Sequence, residues 1–161
     1  MTAAFDAIVA GLEYPMIVVT VAAGDERAGC LVGFATQCSI DPARYAVFVS
    51  KRNRTARVAE GARTMVVHFL RARDIALAHL FGEETGDEVS KFDRCPWHPG
   101  PDDTPVLEGC DWFAGTVLQR LDTGDHVLHL LDVTDDGEAS SADEPQLGFQ
   151  AVRDFEAGHH A

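Results

Sequence analysis

The feature that most narrows the fold is a succession of short apolar runs rich in β-branched residues, each closed by a turn signal. Met16 to Ala23 reads MIVVTVAA and stops at Gly24-Asp25-Glu26; Arg27 to Phe34 then returns, so the pair predicts a hairpin. Tyr45 to Val49 is short and almost continuously apolar, as a strand buried on both faces would be. Thr64 to Leu70, Trp112 to Leu121 and His126 to Val133 follow, the last two joined by Asp122-Thr123-Gly124-Asp125, a hairpin turn. Val106-Leu107 and Gln146 to Val152 add two further extended pieces. Helical spacing is confined to short stretches: residues 2 to 12, Thr55 to Gly61, and Ile75 to Gly82 behind an Asp74 cap. In the first of these, Thr2 is the expected N-cap, and Phe5, Ile8, Val9 and Leu12 form a stripe expected to pack on the rim of a sheet. Six or seven short strands with few helices predict a mainly β fold, a barrel with helical decorations.

A chain of 161 residues fits one domain. We place it over residues 1–155, with 156–161 as a mobile tail, and expect a flexible surface loop in the acidic, Ser-rich stretch Asp135 to Pro145. The formal net charge of −13 disfavours nucleic acid and anionic membrane as partners, since neither would find a basic surface. No apolar run approaches the roughly 20 residues needed to cross a bilayer. The N-terminus lacks the basic start of a signal peptide, so a cytoplasmic protein is the expectation. Cys30, Cys38, Cys95 and Cys110 show no paired spacing, and free thiols are expected. No metal site is expected: Cys95-Pro-Trp-His98 lacks a second ligand pair, and His159-His160 stands alone.

Chemistry is concentrated between Gly29 and Arg57. Gly33-Phe34-Ala35-Thr36-Gln37-Cys38-Ser39 reads as a small, nearly uncharged loop, and Gly29 and Gly33 suggest bulges or a close approach of backbone to something flat. Ser50-Lys51-Arg52-Asn53-Arg54-Thr55 is a basic turn flanked by hydroxyls. Lys51, Arg52, Arg54 and Arg57 account for four of the thirteen basic side chains. Such a cluster, in an acidic chain and at the start of a helix whose dipole opposes positive charge, favours anion binding over a merely solvated turn. Together the two loops suit a planar ligand with a phosphorylated tail. The irregular section from Arg94 to Pro105 is long enough to carry function. His68, in mid-strand, fits a satisfied core histidine. His126 opens its strand, where it suits a cap through Asp125 or a backbone carbonyl; His129, three residues on, faces the other way.

In order along the chain stand Tyr14-Pro15 with its Val-rich strand, Thr36-x-x-Ser39-Ile40-Asp41-Pro42, and Ser50-x-x-Asn53-x-Thr55. Lys91-Phe92 before a Pro/Gly loop, Pro105 to Trp112, and Gly124-Asp125-His126 come after them. In this order and spacing the chain resembles the flavin reductase-like family, whose fold is the FMN-binding split barrel. The resemblance implies a split β-barrel with a few short flanking helices. It places ring and ribityl contacts on Gly33, Phe34, Ala35, Thr36, Gln37, Cys38 and Ser39. Phosphate contacts fall on Ser50, Lys51, Arg52, Asn53, Arg54 and Thr55, with Phe92 added to the cofactor contacts. His126 would then position a nicotinamide.

The implied activity is an oxidoreductase in which NAD(P)H passes hydride to a bound flavin and electrons go on to free flavin, oxygen or a partner monooxygenase. Such chemistry belongs to the cofactor and needs no protein nucleophile, in keeping with the absence of a GxSxG elbow, a HExxH helix or a P-loop. FMN is the expected cofactor, with FAD and the deazaflavin F420 as alternatives, because Gly33-Phe34-Ala35 departs from the family's Asn-Ser-Phe-like run. The resemblance also implies a homodimer. A non-catalytic flavin- or haem-binding carrier or sensor is the alternative function.

Overall fold

Residue alternation in the strands sorts side chains into two cores on either side of one curled sheet. The computed structural model describes residues 3–83, 90–138 and 143–155. Seven antiparallel strands pair in the order β2-β1-β5-β8-β9-β4-β3. They are β1 (Ile17–Ala23), β2 (Glu26–Val32), β3 (Ala35–Ser39), β4 (Arg44–Ser50), β5 (Thr64–Phe69), β8 (Asp111–Asp122) and β9 (His126–Gly137). In β1, Ile17, Val19 and Val21 point into the barrel, where they meet Cys30, Val47, Val49, Met65, Val67, Phe113 and Leu131. Met16 and Val18 point outward into a second core with Leu70, Phe81, Leu107, Cys110 and Leu147. Period-two alternation with both faces covered explains why these strands read as nearly unbroken apolar runs. Strand β2 comes back against β4 without joining its ladder. The barrel is therefore split, as the resemblance implied.

Three helices flank the sheet. Helix α2 (Arg54–Ala59) closes one end of the barrel with Ala56, Val58 and Ala59, and Arg120 donates to the carbonyls of Ala59 and Ala62 at its C-terminal end (2.9 and 2.7 Å). Helix α3 (Ile75–Glu83) lays Ala78 and Phe81 on the outer core. The side chain of Asp74 accepts the Arg71 N–H at 2.8 Å, just ahead of it. His68 lies in the outer core, where Nδ1 donates to Val18 O (2.9 Å) and Nε2 accepts the Leu107 N–H (3.0 Å). Burial pushes its pKa down to about 4, and it is the core histidine that the sequence suggested.

Several expectations are corrected. Residues 35–39 are not a loop but edge strand β3, paired with β4 from Ala35 to Ser39. The irregular section holds a small hairpin, β6 (Trp97–Pro99) with β7 (Pro105–Leu107). Gln146 to Val152 forms single bridges at Gln146 and Gly148 and a helical turn, Phe149–Ala151, rather than a strand. Helix α1 (Ala3–Ala10) buries no residue: Phe5, Ile8, Val9 and Leu12 all remain exposed. The expected Thr2 cap and the 156–161 tail lie outside the described residues, as do residues 139–142 of the expected 135–145 loop, whose first residues, Asp135 to Gly137, continue β9 instead.

Candidate functional site

Gly29 in β2 and Gly33 just after it do permit close approach, but to rings of the protein itself. A Cβ at Gly29 would stand 2.9 Å from the Phe81 ring, and one at Gly33 would stand 2.7 Å from the Tyr14 ring. Tyr14 in turn stacks on Phe149 at 4.8 Å. Phe34 sits 6.4 Å from Tyr14 and 5.0 Å from His126, so a line of four rings crosses this end of the barrel.

These rings border a cavity of about 880 Å³, at the upper end of the roughly 300–1,000 Å³ usual for ligand pockets. Gly33, Phe34 and Ala35 line one part of it, Ser50 and Asn53 another, and His126 a third. Leu31, Phe48 and Phe81 supply apolar floor, and Phe5 and Val9 of α1, with Leu12 just after it, form a wall. Three distant pieces of sequence therefore meet in one hollow. Pairing explains how: β4 lies between β3 and β9, with Ser50 opposite His126 and Val47 opposite both Ala35 and His129. The Phe48 N–H also donates to Phe34 O at 2.9 Å, pinning the segment between β2 and β3 over the end of β4.

The polar groups divide into those with partners and those without. In the basic turn, Lys51 is held by Asp122 at 2.6 Å, and Arg54 donates to Arg27 O (2.6 Å) while pairing with Glu26 (3.3 Å). Thr55 is buried and bonded to Cys30, whose thiol burial pushes up, so it stays protonated. None of these three side chains lines the cavity, and neither does Arg52. The Arg52 guanidinium has no hydrogen bond or ion pair among the described residues, and the Asn53 side chain makes no capping bond. The Ser50 hydroxyl accepts only the Arg52 N–H, at 3.3 Å.

His126 binds Asp125 through Nδ1 at 2.6 Å. That bond holds the Asp125 carboxyl below its usual range. An ionised carboxylate only accepts, so Nδ1 carries the proton and Nε2 is the free ring nitrogen. The structure leaves Thr36, Gln37, Cys38 and Ser39 outside the cavity lining, with Thr36 and Gln37 bonded within their own strand. Phe92 is also outside, packed edge-on between Phe81 and Trp97. His129 is buried beside Leu131, away from His126. Asp6, Phe48, Phe81 and Phe149 are among the lining residues that the sequence does not single out; Tyr14 shows there only in its motif with Pro15, and the α1 stripe reads there as packing.

A family model described as "Flavin reductase like domain" matches residues 9–158. The chain belongs to that family. A curated member-like relative, the high molecular weight rubredoxin of Moorella thermoacetica, is 27% identical over 128 residues, which are 77% of this chain and 56% of that protein. The chain thus spans little more than half the length of the curated relative it matches. Among solved structures, an FMN-binding protein from Thermus thermophilus with bound 1-cyclohex-2-enone has 26% identity and a TM-score of 0.75, covering 80% of this chain and 72% of its own. An NADH:FAD oxidoreductase of Streptomyces globisporus has 20% identity and a TM-score of 0.80, covering 96% and 88%; at that identity it shows the shared fold. As a member of the flavin reductase-like family, the chain shares the fold of these proteins. No helix among the described residues is long and apolar enough to cross a membrane, and no cluster of metal-binding side chains occurs among them.

Proposed function

We propose that this protein is a flavin-dependent oxidoreductase that takes hydride from NAD(P)H, with FMN held in the cavity between β2–β3, the Ser50–Asn53 turn and His126. The observation that supports this most is the convergence of Gly33–Ala35, Ser50, Asn53 and His126 on one hollow. Its residues fit a flavin. Apolar walls and exposed backbone near Gly33 suit a flat ring, and Ser50 and Asn53 offer a hydroxyl and a carboxamide without strong internal partners. Arg52 is the basic side chain of the turn left to reach a phosphate, with charge-assisted bonds. Lys51, Arg54 and Thr55 act behind it, fixing the turn to Asp122, β2 and the barrel core.

When bound, the flavin supplies the two-electron chemistry. The chain binds it, covers one side with Phe34 and Tyr14, and holds the His126 imidazole at the rim through Asp125. His126 would orient the nicotinamide amide through Nε2. The donor's identity, FMN over FAD or F420, and an acceptor among free flavin, oxygen or a partner monooxygenase rest on the family resemblance. So does a homodimer, for which edge strand β3 and the exposed Ile40, Leu118 and Leu121 offer surface.

The test is anaerobic addition of NADH, then NADPH, to purified FMN-loaded protein. Bleaching of the oxidised-flavin band is the expected result. A stable yellow colour with both donors would favour the carrier or sensor reading instead.

A further inference from the structure

The turn that presents His126 is gripped from the end of β4. Lys51, next in the chain after Ser50, reaches that turn at two points. Its backbone N–H donates to Asp125 O (2.9 Å), and its Nζ donates to Asp122 Oδ2 (2.6 Å). The other carboxylate oxygen of Asp122, Oδ1, accepts the Gly124 N–H at 3.0 Å. These two bonds, that of Lys51 first, hold the Asp122 carboxyl below its usual range, so it stays an acceptor. Thr123 closes the turn from within, donating to His126 O through its N–H (3.0 Å) and its Oγ1 (2.9 Å).

The clamp matters because the turn is otherwise loosely specified. Gly124 has a φ of 132°, which glycine adopts without cost and which leaves the chain many alternatives. The Asp125 side chain that holds His126 is 94% exposed, and an exposed carboxylate orients an imidazole only as well as its own backbone is held. Outside the strand ladders, Lys51 is what ties residues 122–125 to another element among the described residues. The Lys51 and Asp122 side chains are themselves 42% and 69% exposed, so their pair adds little to global stability. What it fixes is the direction in which His126 points.

We propose that Lys51 and Asp122 are positioning residues for His126: by clamping the turn they keep Nε2 aimed at the nicotinamide of the donor. The proposal rests on the oxidoreductase reading above and adds to that site two residues that act through His126 rather than on flavin or donor.

The test is a double-mutant cycle on FMN-loaded protein. Anaerobic stopped-flow reduction by subsaturating NADH and NADPH is followed in the wild type, Lys51→Met, His126→Ala and the double variant. Lys51→Met is expected to slow bleaching about two- to fivefold, part of the loss of an orienting hydrogen bond, and to leave FMN affinity and melting temperature at wild-type values. Once His126 is gone, Lys51→Met is expected to have no further effect. Asp122→Asn keeps an acceptor for the Gly124 N–H but not the charge that holds Lys51, and is expected to reproduce the slowing. A second measurement needs no donor. Nitrogen NMR spectra of the flavin-free protein, at a pH where the ring is neutral, report which imidazole nitrogen of His126 carries the proton, with the signal assigned by its loss in His126→Ala. Wild type is expected to keep the proton on Nδ1, and Lys51→Met to show both tautomers.

Rate losses that multiply in the double variant, or a His126 tautomer unmoved by Lys51→Met, would overturn the proposal. So would a fall of about tenfold in FMN affinity on Lys51→Met, which would return Lys51 to the phosphate. If neither NADH nor NADPH bleaches the flavin, the oxidoreductase reading fails instead, and the spectra still decide whether Lys51 positions His126.

Discussion

The rings of Phe34 and His126 stand 5.0 Å apart at an interplanar angle of 42°, across the rim of the cavity. One comes from the segment after β2 and the other from the first position of β9. Asp125 holds His126 from outside, so the imidazole is braced on one side by a carboxylate and faced on the other by a phenyl ring. His126→Ala is expected to slow flavin bleaching by NAD(P)H about three- to tenfold, the loss of one orienting hydrogen bond of ~0.5–1.5 kcal/mol. FMN affinity should change much less. Stopped-flow reduction beside an FMN titration checks both.

The basic turn separates into binding and bracing groups. Arg54 is committed to Arg27 O and Glu26, so Arg54→Ala should lower the melting temperature, at a cost of about 1 kcal/mol for a partly exposed pair. Arg52→Ala should leave the melting temperature of the flavin-free protein alone and weaken FMN by roughly 1.5–3 kcal/mol, as for a hydrogen bond to a charged group. Thermal melts of flavin-free protein and FMN titrations of both variants distinguish the two roles. The opposite pattern would return Arg54 to the phosphate.

His68 makes stability depend on pH. Its folded pKa of about 4 lies below the ordinary value of 6.5, so the unfolded chain takes up the proton first as pH falls. Above pH 6.5 His68 is neutral in both states and costs no stability; between pH 6.5 and pH 4 it progressively destabilises the fold, by about 3 kcal/mol in all at 1.36 kcal/mol per pH unit. His68→Gln, which keeps a donor and an acceptor, should flatten denaturation midpoints across that window. An equally steep wild-type and variant profile would assign the acid sensitivity elsewhere.

Gly29 offers a packing test. An added Cβ meets Phe81 at 2.9 Å and the Val19 carbonyl at 3.1 Å. The ring has some freedom and the backbone little, so Gly29→Ala should cost about 1–3 kcal/mol. Because Phe81 floors the cavity, FMN affinity should fall as well. Urea denaturation and the same titration measure the two effects.

Much of this molecule is legible in its residues, for identifiable reasons. Strands β1, β4 and β5 announce themselves because both sheet faces are largely covered, which forces continuous apolar runs such as Ile17–Val21 and Met65–Val67; β8 and β9, partly exposed, are marked by the turn that joins them. Strand β3 is hidden because an edge strand with Thr36, Gln37 and Cys38 exposed has no apolar pattern to show. Asn53 and Ser50 could be picked out by chemistry, yet whether a neighbouring arginine faces the ligand depends on Glu26 and Arg27, far away in sequence and adjacent in space. Likewise α1 shows a clear stripe, but periodicity reports that a face is apolar and says nothing of what lies opposite it.

The proposed activity depends on one cavity holding the flavin. Its most direct test is an FMN binding titration of the flavin-free protein and of a Ser50→Ala/Asn53→Ala variant that keeps the wild-type melting temperature. Binding by the wild type, weakened about tenfold or more in the variant at ~1 kcal/mol per lost hydrogen bond, is the predicted result. No binding at all, or the same affinity in both proteins, would contradict it.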